Sequence, residues 1–76
     1  MNYQDALKSA ITTAEVTGQS VVVKFWHKLN DFSDCLLESA VSVGAWEHSI
    51  IVACVDHKGN VTESDWIKAK LQEVAA

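Results

Sequence analysis

The apolar residues near the start of the chain recur at helical spacing. Tyr3, Ala6, Leu7, Ala10, Ile11 and Ala14 fall on one stripe, and Gly18 follows where a helix closes in left-handed conformation, so a helix is expected over 2–17. From residue 20 the period drops to two. Val21, Val23, Phe25 and Leu29 alternate with Val22, Lys24, Trp26 and Lys28, which predicts a strand over 20–29 with one core face and one half-wet face. Residues 49–56 are apolar on both sides, with Ile50, Val52 and Cys54 opposing Ile51, Ala53 and Val55, the pattern of a central strand. His57, Lys58, Gly59 and Asn60 make a turn, after which Val61 can add a short edge strand. A last helix is expected over 63–74, burying Trp66, Ile67, Leu71 and Val74, with Thr62 and Asp65 as a capping-box variant.

Residues 31–46 support two readings. Phe32, Cys35, Leu36, Ser39, Ala40 and Val43 follow helical spacing behind a cap at Asn30 or Asp31, whereas Val41, Val43 and Ala45 alternate as a strand would. The helical reading spans three turns and is preferred. It gives a small two-layer α/β or α+β domain of αβαβα order over residues 1–76, whose two strands are joined by a right-handed crossover and therefore run parallel. The alternative is αβββα, a three-stranded antiparallel sheet between two helices. Two strands alone make an unstable sheet, so the αβαβα reading needs completing by a hairpin at Val61 or by edge pairing in a homodimer.

Composition narrows the function more than the fold. With 76 residues, 49% apolar and 21% charged, the chain has the make-up of a single folded domain. It carries six basic residues, all lysine, against ten acids, a net charge of −4. Without arginine there is no bidentate grip on phosphates or guanine edges, and an acidic domain repels a polyanion, so nucleic acid is not an expected partner. Asp5 and Lys8 interrupt the first residues, which speaks against a secretory signal, and no apolar run is long enough for a membrane span. A cytoplasmic protein is expected, with Cys35 and Cys54 as reduced, buried thiols.

Catalytic and metal chemistry find little support in the residue types. Cys54 and His57 form a C-x-x-H pair, with His27 and His48 far off in sequence, whereas structural zinc takes four ligands in two close pairs. No metal or other cofactor is expected. The run Val21-Val22-Val23-Lys24-Phe25-Trp26 after a leading helix, then a helix carrying Cys35, then residues 50–56, resembles the opening half of a thioredoxin-type domain. That resemblance implies a βαβ unit and a redox role for Cys35. The family sets a cysteine pair just beyond the Phe-Trp strand, where this chain has Lys28, Leu29, Asn30 and Asp31.

Charge distribution carries the leading expectation. Between Leu29 and Asp56 there are five acids, Asp31, Asp34, Glu38, Glu47 and Asp56, and no lysine, so this middle segment holds −5 while the remainder is close to neutral. On a helix, Asp31, Asp34 and Glu38 would stand at roughly 0°, 300° and 340° about the axis, forming one acidic stripe. Such a stripe either solvates the surface or docks on a basic partner. Trp26, between Lys24 and Lys28, and Trp46, after Gly44, are either buried or used as interface anchors. The expected function is a small non-enzymatic protein-binding module and homodimer. It would inhibit a partner by covering its basic, nucleic-acid-binding surface, as small acidic proteins of phages and mobile elements do. The rival expectations are Cys35 redox chemistry and an assembly component that oligomerises through the first strand.

Overall fold

A computed structural model describes residues 1–39 and 49–75 of the chain. The first helix, α1 (Tyr3–Thr17), begins at Asn2, whose side chain accepts the Asp5 amide at 2.8 Å. It ends at Gly18 (φ 68°), whose own amide returns to the Ala14 carbonyl. These are the boundaries the apolar stripe predicts. Ala6, Ala10 and Ala14 are fully buried, so the helix backbone lies close against the sheet.

Among the described residues four strands follow: β1 (Val21–Trp26), β2 (Asp31–Leu36), β3 (Ser49–Val55) and β4 (Val61–Glu63). They stand in the order β2-β1-β3-β4, and every neighbouring pair is antiparallel. The last helix, α2 (Asp65–Ala75), packs Trp66, Ile67 and Leu71 against the same core as α1, so both helices cover one face of the sheet. The architecture is α+β, with the antiparallel sheet of the αβββα alternative. It differs from that alternative, among the described residues, in having a fourth strand and in placing α1 and α2 on one side.

The preferred helical reading of 31–46 is corrected at its start, because residues 31–36 are strand and helix begins only at residue 37. The alternative strand through Val41, Val43 and Ala45 lies outside the described residues. Two local features outweigh the helical spacing. Asn30 takes a positive φ of 49°, which Asn tolerates, and closes a tight hairpin after Trp26. Phe32 then falls directly opposite Phe25, ring centroids 4.9 Å apart, a cross-strand aromatic pair that helix formation would forfeit. Asp, Ser, Cys and Phe are moreover indifferent helix formers.

The hairpin reverses the chain, so β3 meets β1 antiparallel and the expected parallel crossover is absent. With it goes the geometry that the thioredoxin-type resemblance implied. Val61 does add the expected edge strand, and β3 is an interior strand as its two apolar faces predict. The capping residue of α2 is Ser64 rather than Thr62: its Oγ accepts the Ile67 amide at 3.3 Å, while Thr62 pairs with Cys54 in the sheet. Val52 has no partner on β1, because Val23 pairs with Ala53 and Lys24 with Ile51. This bulge lets Val52 and Ala53 both enter the core.

Candidate surface for protein binding

The acidic middle segment begins on an edge of the sheet. β2 is one of the two outer strands among the described residues, and all six of its positions are half-buried. Alternation along the strand puts Phe32, Asp34 and Leu36 on the helix side, and Asp31, Ser33 and Cys35 on the other. Asp31 and Asp34 therefore do not share a stripe. They flank the edge from its two sides.

Each of the two carboxylates is held locally. Asp34 accepts the Ser9 hydroxyl of α1 at 3.1 Å. Asp31 pairs with the terminal ammonium of Met1, which holds its carboxyl below the usual range, and the Phe32 amide donates to the Met1 carbonyl at 3.0 Å. Glu38 is exposed in the helical turn just after β2. Glu47 and Trp46 lie outside the described residues.

Trp26 stands across from Asp31 in the β1–β2 register, on the face away from the helices. It is half-buried, its indole N–H donates to Ser33 Oγ at 2.7 Å, and the Lys24 ammonium lies 5.7 Å from its ring centre. One predicted anchor and one predicted acid are thus brought together at the turn end of the hairpin. Lys24 is only 5% exposed, so the face read as half-wet is closed at that position.

The two cysteines sit on either side of Val22, on β2 and β3. Two strand spacings separate them by roughly 9–10 Å, beyond the reach of a disulfide without backbone movement. Cys54 is half-buried in β3 and His57 is exposed in the turn that follows. Among the described residues no three His, Cys, Asp or Glu side chains converge as metal ligands would. Among them, too, no helix is long and apolar enough to cross a membrane.

Sequence reasoning missed an aromatic patch on the helix face. Phe25 contacts Phe32, Trp66 and the exposed ring of His27, and Phe32 meets Tyr3 edge-on at 5.6 Å. Beside this patch opens a groove of about 210 Å³. Its residues come from the β1–β2 hairpin and from α2, more than thirty residues apart in sequence, so no local pattern announces it. No family model, curated protein or solved structure matches this chain.

Proposed function

We propose that this protein is a small, non-enzymatic, cytoplasmic binding module that docks the β2 edge on a basic protein surface. The observation that supports it is the position of β2: the start of the acidic segment is an edge strand carrying Asp31 on one side and Asp34 on the other, with Glu38 just beyond. Edge strands recruit partners through their main chain, and the flanking charges choose which partner. Carboxylates on both sides repel polyanions and suit lysine- and arginine-rich surfaces such as those that otherwise hold nucleic acid. Covering such a surface inhibits it. Trp26, next to Asp31, serves as the apolar anchor. Size and acidity also fit the inhibitors carried by phages and mobile elements.

The test compares the wild-type protein with the D31K/D34K/E38K variant as baits in the source cell, after circular dichroism has shown both folded. The expected result is a basic protein held by the wild type, released by salt or by added nucleic acid, and lost with the variant. Capture of the same protein by both baits would remove the acidic edge from the mechanism.

A further inference from the structure

The groove beside the aromatic patch is lined among the described residues by Phe25, Phe32, Trp66, Ile67 and Leu71, with Asn30 and Lys70 as the polar ones. The Lys70 ammonium lies 5.6 Å from the centre of the Trp66 ring. Among the described residues no carboxylate lines the groove, although the molecule as a whole is acidic. An apolar slot with a single cation at its aromatic wall complements a ligand with an apolar body and one negative charge.

Volume limits that body. The groove's 210 Å³ is well under the roughly 300–1,000 Å³ of pockets for drug-sized ligands, while an apolar cavity of about 150 Å³ already admits benzene. One ring with a short side chain fills it. The rings of Phe25, Phe32 and Trp66 offer faces and edges to stack on, and the Asn30 amide can bond a carboxylate oxygen that Lys70 neutralises.

We propose that this groove binds a small aromatic monocarboxylate, with the ring between Phe25, Phe32 and Trp66 and the carboxylate at Lys70. The site is formed by α2 and the helix face of the sheet, so it stands or falls separately from docking at the β2 edge.

Titration of the intact ¹⁵N-labelled protein tests this, with 3-phenylpropionate, its neutral isostere 3-phenylpropanamide and the peptide acetyl-Gly-Gly-Phe as probes. 3-Phenylpropionate should shift the amide signals of residues 25–32 and 65–71 together with the Trp66 indole signal. An exposed charge pair supports a preference of about two- to five-fold for the acid over the amide. That preference should vanish in Lys70→Gln, which removes an exposed charge and leaves the core intact. Absence of shifts, equal affinity for acid and amide in the wild type, or an undiminished preference in Lys70→Gln would each overturn the assignment. Tighter binding of the peptide than of 3-phenylpropionate would overturn it too, since the groove would then be a peptide-docking site.

Discussion

Tyr3 is the only tyrosine of the chain, and it joins the two ends of the fold. Its hydroxyl donates to Glu63 of β4 at 2.5 Å, and its ring meets Phe32 of β2. Burial first, then the hydrogen bond to Glu63 and the negative charge there, push the phenol far above its usual value. The neutral phenol is favoured in the folded state, so its stabilising effect is present below the unfolded pKa of about 10 and is lost as pH rises above it. Phenolate absorbance near about 295 nm should be absent at about pH 11, where a free tyrosine is mostly ionised, and should appear together with unfolding. Ionisation at about pH 10 with the fold intact would show that Tyr3 is not held in this way. Asp56 illustrates the opposite direction. The Asn60 amide and side chain, then the Lys58 amide, donate to its carboxylate and lower its pKa, so its support for the β3–β4 turn is lost as pH falls through that depressed value.

At the scale of elements, α1, β1, β3 and the turn before β4 were legible because each carries a local signal: a stripe ended by Gly18, an alternation, a doubly apolar run, a polar cluster around Gly59. β2 was not legible. Its spacing of Phe32, Cys35 and Leu36 satisfies a helix and, through Phe32 and Leu36, also a strand, and only the partner residues Phe25 and Val21 decide between them. Part of the candidate site failed with it, since the stripe of Asp31, Asp34 and Glu38 presupposed the helix, whereas the nearness of Trp26 and Asp31 follows from the hairpin. The attachment of α2 is equally a matter of tertiary contact. Ile67 is the fully buried side chain of this helix among the described residues. Ile67→Ala should cost about 2–5 kcal/mol, a large share of a small domain's stability, and lower the melting temperature by roughly 4–8 °C for each kcal/mol. A change under about 1 kcal/mol would mean that α2 is held chiefly by Trp66 and Leu71.

For the whole molecule, the sheet itself no longer calls for a homodimer. Pairing across copies was expected because two strands make too small a sheet, but β2 and β4 complete four strands within the chain. Nor can the first strand recruit a copy, since β1 is flanked by β2 and β3. Antiparallel pairing of β2 with a second β2 would bring the carboxylates of two acidic edges, two Asp from each copy, into one short ladder, which like-charge repulsion opposes. Sedimentation at low ionic strength should therefore return a monomer across the micromolar range. A dimer under those conditions would place self-association on a surface other than the β2 edge.

The central ladder has a consequence for how the chain reaches this state. β1–β2 and β3–β4 are hairpins that close locally, whereas β1 must find β3 across about twenty intervening residues. Loop-closure entropy sets that encounter after the hairpins, so the step that joins the halves of the sheet sets the folding rate. The register in which they meet is the one that keeps Val21, Val23, Val52 and Val55 in the core.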